Sequence, residues 1–273
     1  MRALLALAGD EATSVVCAIG KPPGPSVARR LVELGASLGK PCVLHLTGVG
    51  AGSTMMGGRW HRAATLEDAA RAAVALARGR TPEPADFSAA PAEIARVVAG
   101  AAANLGPEQR FVRGLYSGGT LAWEALALLH ASIGNVPAGL GGTGPGHRVV
   151  DLGEDAFTVG RPHPMLDGRT RREWIEREAR DPSLAILLLD VVLGFGAHPD
   201  PAGELLPAIS AARAVARSAG RGLVVIASVC GTDGDPQDRG HQKARLEAGG
   251  VIVMPSNAQA ARLAALVAER RTP

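Results

Sequence analysis

The stretch LAILLLDVVLGFGAHPDPAGELLPAISAARAVARSAGRGLVVIASVCG, Leu184 to Gly231, holds a complete strand–helix–strand unit. LAILLLDVVLG is a near-continuous aliphatic run, as in a strand buried on both faces. GFGAHPDP breaks it, AGELLPAISAARAVARSAG carries apolar residues at helical spacing, and RGLVVIASVCG is a second aliphatic run. Two buried strands joined by a helix form the crossover unit of a parallel sheet. GVIVMPS then adds a short strand and SNAQAARLAALVAERR a closing helix.

The first third repeats the plan. TSVVCAIG ends in the breaker KPPGP, SVARRLVELGASLG has helical spacing, and KPCVLHLTG is a strand again. TLEDAARAAVALARG follows as a helix, with Thr65 as N-cap, Asp68 at the third helical position and Gly79 as its stop. Its likeness to SNAQAARLAALVA reads as an internal duplication with an abbreviated first copy. Between the copies, RGRTPEPADFSAAPAE carries three prolines and reads as a linker. RFVRGLYSGGTLAWEALALLHASIG is strand, Gly-rich turn and helix, and HRVVDLG and AFTVG add strand material. The expected fold is α/β, two flavodoxin-like domains with mainly parallel sheets over 1–80 and 109–273, joined by a linker over 81–108.

Composition agrees. Of 273 residues 47% are apolar but only 3% aromatic, so the core is aliphatic. The net charge of +3 is spread over single arginines, except in GRTRREWIEREAR (Gly168 to Arg180), where Arg and Glu interleave as on a solvated, salt-bridged helix face. No aromatics interleave with basic residues, so a nucleic-acid partner is not expected. Cys17, Cys42 and Cys230 have no metal-ligand spacing and cannot all pair, which fits a reducing compartment. MRALLALAGDEA is too short an apolar run for a signal or membrane helix. A cytoplasmic protein without membrane contact is expected.

Several loops could carry chemistry. In YSGGTLAWEA, Ser117, Gly118, Gly119 and Thr120 stand between strand and helix, where free amides attract an anion, or form a plain capped turn. VDLGEDAFTVGRPHPMLD holds Asp151, Glu154 and Asp155, which either hold a cation or face water. In the same loop Arg161 can grip a carboxylate or phosphate with two prongs, and His163, between Pro162 and Pro164, is an acid, a base, a nucleophile or a structural imidazole. DVVLGFGAHPDP places Asp190, Gly194, Gly196, His198 and Asp200 after a strand, and CGTDGDPQ places Thr232, Asp233 and Asp235 after the next. If these strands are adjacent and parallel, all these exits face one crevice, and the polar octet forms a wall of a ligand or subunit site. No metal site is expected.

GLYSGGTLAWEA, DLGEDAFTVGRPHPM, LLLDVVLGFGAHPDPA and VCGTDGDPQ, in this order, resemble the FdrA family of the acyl-CoA synthetase (nucleotide-diphosphate-forming) superfamily, relatives of succinyl-CoA synthetase. The resemblance implies that the last domain is similar to the carboxy-terminal domain of the synthetase β-subunit, and the first to the ligase domain of the α-subunit. It implies transfer of an activated acyl or carbamoyl group, as in oxamate carbamoyl transfer in allantoin catabolism, or an acid–CoA ligase activity. A scaffold completing a partner's site is the non-catalytic alternative. Longer members carry a Rossmann-type CoA-binding domain, and no GxSGxxG-like segment occurs here. CoA is therefore expected only if a second chain binds it; a homodimer is also allowed. The phosphate-carrying GHAGA pattern of the synthetases is missing as well. His61 in MMGGRWHRA and His241 in RGHQKA have the wrong neighbours, so neither is expected to be phosphorylated.

Overall fold

Aliphatic runs become strands here wherever Gly- or Pro-rich breakers bound them. The computed structural model describes residues 1–21, 23–47, 60–134, 136–137 and 146–270. The chain divides into two compact units, Met1–Ala85 and Asp86–Pro273.

In the first unit α1 (Arg2–Gly9), β1 (Val16–Gly20), α2 (Pro25–Ser37), β2 (Cys42–Leu46), β3 (Trp60–Arg62) and α3 (Leu66–Ala77) follow in order. The three strands are parallel in the order β1-β2-β3, with Val16 opposite Cys42 and Cys42 opposite Trp60. The run MRALLALAG is a helix that buries Leu4 in one small core with Val16, Leu44 and Trp60. Gly35 lets α2 lie against the indole, since a Cβ there would stand 1.6 Å from Trp60 Nε1. On the other face Val43 packs with Ala69 and Ala72 of α3. The Thr65 hydroxyl accepts the Asp68 amide at 3.0 Å, as the capping pattern required, and Gly79 ends the helix at φ +65°. The segment 48–59, which includes the start of MMGGRWHRA, lies outside the described residues.

The second unit runs α4 (Pro91–Ala102), β4 (Phe111–Tyr116), α5 (Gly119–Ile133), β5 (Arg148–Asp151), α6 (Asp155–Thr158), α7 (Arg169–Glu178), β6 (Leu184–Val192), α8 (Pro201–Ser218), β7 (Val224–Cys230), α9 (Arg239–Ala248), β8 (Ile252–Met254) and α10 (Asn257–Glu269). Its five strands are all parallel, in the order β5-β4-β6-β7-β8. Counted within the unit this is 2-1-3-4-5, the flavodoxin order. Ile94 and Val98 of α4, Ala122 and Ala125 of α5, and Ala260, Ala261 and Ala264 of α10 cover one face. Ile175 of α7, Ala202, Leu205 and Ile209 of α8, and Leu246 of α9 cover the other. Small alanines let the helices approach an aliphatic sheet closely, so the core needs few aromatics.

Three local expectations change. The stretch 86–108, part of the expected linker, belongs to the second unit: α4 follows Pro91 at its first turn and buries Ile94 and Val98. AFTVG is not strand. Asp155–Thr158 makes one helical turn, with the Phe157 and Thr158 amides donating to Glu154 O at 2.9 and 3.2 Å. The chain has by then left the sheet at Asp151, whose carboxylate takes the Gly153 amide at 2.9 Å and turns the backbone.

GRTRREWIEREAR is not simply a solvated face either. Arg171, Ile175 and Glu178 share one side of α7, at i, i+4 and i+7, and all three are buried. The outward residues do pair loosely, Arg161 with Glu173 at 3.6 Å and Arg172 with Glu204 at 3.8 Å. Glu178 accepts Arg113 Nε at 3.1 Å and also bonds Arg148, while Arg113 reaches Asp181 at 2.7 Å. Burial pushes the Glu178 carboxyl up, but its hydrogen bonds and the charges of Arg148, Arg177 and Arg113 outweigh this and hold it below its ordinary value. Asp181 is likewise held low: Ser183 and Arg113 more than offset burial. Buried charges persist because each has a partner.

Candidate functional site at the β4–β6 switch point

In a 2-1-3-4-5 sheet the strand order reverses between the first and third strands, here β4 and β6, and the connections leave toward opposite faces. A crevice opens at the carboxyl ends of these two strands. Ser117 follows β4 directly and Asp190 lies near the end of β6. They meet: the Ser117 amide donates to Asp190 Oδ1 and its hydroxyl to Oδ2, both at 2.9 Å.

Asp190 is fully buried, and Arg171 reaches it from α7. Arg171 Nη2 donates to Asp190 Oδ1 at 2.7 Å and to its carbonyl at 2.5 Å, and Nε donates to Leu115 O at 3.0 Å. Burial pulls the Arg171 guanidinium below its usual range, against the opposing pull of Asp190. The Ser117 donors are therefore spent on the protein, and its hydroxyl proton is not offered to an anion.

The start of α5 is built around another carboxylate. A Cβ on Gly119 would stand 2.6 Å from Asp151 Oδ2, so only glycine lets the acid come so close to the first turn. The positive end of a helix favours such a group. His163 completes the floor. The point where a Cβ of Gly153 would stand lies 2.7 Å from His163 Nε2, 2.9 Å from Ser117 O and 3.1 Å from Asp151 Oδ1. His163 Nδ1 accepts the Met165 amide at 3.2 Å. The neutral ring then carries its proton on Nε2, the nitrogen that faces the crevice. As held, this imidazole is a hydrogen-bond donor there and not a nucleophile.

Behind the crevice is a buried polar chain. Tyr116 Oη donates to Asn257 Oδ1 at 3.0 Å, and Asn257 Nδ2 donates to Leu121 O at 2.9 Å and Glu124 Oε2 at 2.8 Å. Burial, then the charges of Asp190 and Glu124, push the Tyr116 phenol well above its ordinary value. Ser228, opposite Asp190 in the β6–β7 register, has a buried hydroxyl without a partner among the described residues. The Cys230 thiol is pushed up by burial and by Asp190, Asp235 and Glu124, the reverse of what a thiolate nucleophile needs.

The structure thus brings together Ser117, Gly118, Gly119, Asp151, Asp190 and His163, with Met165 Cε 3.0 Å from the Cβ position of Gly118. Thr120 is exposed on the first turn of α5. Arg161 is exposed, and its ion-pair contact is Glu173. Gly194 turns the chain after β6 at φ +138°, and its amide and carbonyl are both held by Gln237, at 3.1 and 2.7 Å; Gly196 is exposed beyond it. His198 Nδ1 accepts the Asp200 amide at 3.0 Å, and Asp200 caps α8 and pairs with Arg245 at 2.5 Å.

The octet CGTDGDPQ turns mostly on itself. The Thr232 amide and hydroxyl donate to Asp235 Oδ2 at 2.5 and 3.2 Å, and exposed Asp233 pairs with Arg239 at 3.3 Å. Gln237 then ties the octet to the loop after β6. His61 lies on β3 and His241 at the start of α9, its amide donating to Asp238 at 3.0 Å. Among the described residues no group of three or more His, Cys, Asp or Glu side chains is arranged to hold a metal, and no helix is long and apolar enough to cross a membrane.

Arg171, Tyr116, Glu124 and Asn257 were missed by the sequence reading. The i, i+4, i+7 face of Arg171, Ile175 and Glu178 was a usable signal; the others gave none in isolation.

Sheet order and switch point together define a flavodoxin-like α/β domain. The CoA-ligase family model matches residues 115–267, a span that contains every residue of the crevice, and the chain belongs to that family. It is 33% identical over 268 residues to the uncharacterized protein YahF of Escherichia coli (strain K12), covering 94% of this chain and 51% of that one. Among solved structures it is similar to a dinucleotide-forming acetyl-coenzyme A synthetase 1 of Ca. Korarchaeum cryptofilum in complex with phosphate and ADP, with a TM-score of 0.43 and 16% identity over 98% of this chain and 56% of that one. It is also similar to PH0766 of Pyrococcus horikoshii OT3, with a TM-score of 0.38 and 13% identity over 98% and 55% of the two chains. The chain spans about half the length of these proteins.

Proposed function

We propose that this chain is an FdrA-type part of an acyl-CoA synthetase-like enzyme, and that the β4–β6 crevice receives the activated acyl or carbamoyl group. The observation that carries the reading is the crevice floor: His163 Nε2, Ser117 O and Asp151 Oδ1 crowd one point beside the amino end of α5. An Nε2–H there can donate to the carbonyl oxygen of an activated group as charge develops on it. Asp151, set against the helix start, stands beside the same point. The Ser117–Asp190–Arg171 lock keeps both strand exits fixed, so the donor is held in place before substrate arrives.

A second protein chain supplies CoA or nucleotide binding in this reading. Carbamoyl transfer needs no phosphohistidine, which suits the absence of a GHAGA pattern. Acid–CoA ligation is the second reading, favoured by the family match over the crevice. Co-purification from the native host, followed by assays for acyl-CoA formation and for carbamoyl transfer, separates them. Either activity should fall sharply in His163→Ala with the complex still assembled. A complex whose turnover is indifferent to His163 and Asp151 would leave the chain as a scaffold.

A further inference from the structure

In the first unit β1 is an edge strand: among the described residues it pairs with β2 alone. The Val16 amide donates to Pro41 O and Gly20 O accepts the Thr47 amide, both at 3.0 Å, so these residues turn their backbone groups toward β2. Backbone groups alternate along a parallel strand, so those of Cys17 and Ile19 point to the open edge. Edges are usually blunted by a lysine, a proline or a bulge. VCAIG has no lysine or proline and pairs with β2 in unbroken register. The same two residues carry a bare face. Val16 and Ala18 pack on the other side, whereas Cys17 is exposed and Ile19 is 50% exposed. Val43 and His45 of β2, their partners in register, are both buried. Ala69 and Ala72 of α3 cover Val43, and that cover stops short of β1.

The second unit holds the same plan with the edge filled. Strands β6, β7 and β8 are consecutive parallel neighbours, as β1, β2 and β3 are, and α8 and α10 take the places of α2 and α3. The closing helices begin alike: Thr65 and Ser256 each accept the amide three residues on, at 3.0 and 3.1 Å. There the free side of β6 is taken by β4, and α5 lies beside α10 over Ile186 and Leu188, which are fully buried. Ile186 and Leu188 stand where Cys17 and Ile19 stand in the first unit. What β1 lacks among the described residues is therefore one strand and the helix that follows it.

We propose that the open edge of β1 receives a strand–turn–helix segment of another polypeptide, its strand parallel to β1 and its helix beside α3 over Cys17 and Ile19. Strand addition at a free edge joins main-chain bonds to side-chain contacts on one face. The segment needs the chemistry of β4 and α5, an aliphatic strand and a helix with a face of small residues. A second copy of this chain, pairing β1 with β1, would meet the edge bonds and leave Cys17 and Ile19 of both copies without a helix over them. A partner chain meets both needs. This chain covers 51% of its relative YahF, so that protein holds nearly as much chain again, with room for such a unit. The proposal stands on the first unit alone and does not require the chemistry assigned to the crevice.

Photo-crosslinking tests it. The full chain is produced in the native host with benzoylphenylalanine at position 19, irradiated, and its crosslinked peptides are sequenced by mass spectrometry. The crosslink should fall on the helix of an apolar strand–turn–helix segment in a different polypeptide. That protein, purified and mixed with the full wild-type chain, should slow hydrogen exchange of the Cys17 and Ile19 amides roughly tenfold or more, since each gains a bond. Ile19→Lys should keep the melting temperature of the chain alone, because the side chain is half exposed, and should lose the complex. Proline is tolerated where a strand N–H faces outward, so Ile19→Pro should fold alone and bind weakly, while Ala18→Pro should unfold the unit. The inference is overturned if position 19 crosslinks to this chain itself or to no polypeptide. It also falls if Ile19→Lys binds the crosslinked protein as wild type does, or if Ala18→Pro is tolerated and Ile19→Pro is not.

Discussion

The Ser117 amide and hydroxyl both donate to the Asp190 carboxylate at 2.9 Å, so the exits of two adjacent parallel strands are clamped to each other at the switch point. Arg171 is the counter-charge from the far side of the sheet edge. One buried acid thus sets the positions of a turn, a strand end and a helix.

Asp190→Ala should be the most destabilising change at this edge. It strands the Arg171 guanidinium, which is 4% exposed in the ion pair, without a carboxylate. Removing one partner of a buried pair costs about 3–5 kcal/mol. Ser117→Ala gives up a hydroxyl bond and leaves the amide bond in place, so about 1 kcal/mol is expected. Urea unfolding of both variants checks the order. Equal, small losses would mean that the clamp carries little energy.

Acid should loosen the amino edge of the sheet in a defined window. Glu178 and Asp181 are both held below their ordinary values of 4.5 and 3.8 in the fold. A carboxylate with a depressed native pKa contributes stability that is fully present above its unfolded pKa and is lost as pH falls through the native one. The loss therefore begins below about pH 4.5, the ordinary Glu178 value, and deepens as Asp181 follows. Glu178→Gln should be less stable than wild type at pH 7 and should approach it below that window. Parallel stability curves for the two proteins over pH 3–7, a range of about four units spanning the ordinary carboxylate values, would defeat the assignment.

Much of the scaffold was legible because aliphatic runs, breakers and caps act locally. Leu184 to Val192 could hardly be anything but a buried strand, and Thr65 announces its helix by the bond it makes three residues on. The strands that hold Asp190 and Cys230 were expected to be adjacent and parallel if their exits share an edge, and they pair in that way. What escaped depended on partners distant in sequence. Arg171 looks like one more surface arginine until Asp190 is known to lie beneath it, 19 residues away in the chain. The internal bonds of the octet were not legible, because polar residues after a strand have the same composition whether they meet a ligand or each other. Thr232 and Asp235 meet each other. AFTVG carries β-prone residues, but the Gly153 turn had already taken the backbone out of the sheet.

Gly153→Ala should damage the crevice more than the fold. Its Cβ would meet His163 Nε2 at 2.7 Å and the Ser117 carbonyl at 2.9 Å, and a backbone atom cannot swing aside as a flexible side chain can. Overpacking of this kind costs about 1–3 kcal/mol, and the ring is the softer of the two neighbours. Activity of the assembled enzyme should drop well beyond what the change in melting temperature explains. A fully active Gly153→Ala would mean that the ring position is irrelevant to turnover.

His163 offers the sharpest test, because its two nitrogens have separate tasks. Nδ1 accepts the Met165 amide at 3.2 Å, and Nε2 faces the crevice. With Nδ1 accepting, the hydrogen of the imidazole stands on Nε2. Nitrogen chemical shifts of the labelled imidazole should report that tautomer at pH 7, and the opposite tautomer would remove the donor from the proposal. Side-chain length then divides the roles. The amide of His163→Asn sits near the place of Nδ1 and can still accept the Met165 N–H, but nothing replaces Nε2. The amide of His163→Gln reaches the place of Nε2 and can donate there. In the assembled enzyme, the Asn variant should keep the fold and lose activity by about 10²–10⁴-fold, the usual weight of a positioned proton donor. The Gln variant should retain distinctly more activity than Asn, although it loses the loop bond to Met165. The reverse order would show that His163 serves by holding its loop, and that some other group meets the substrate.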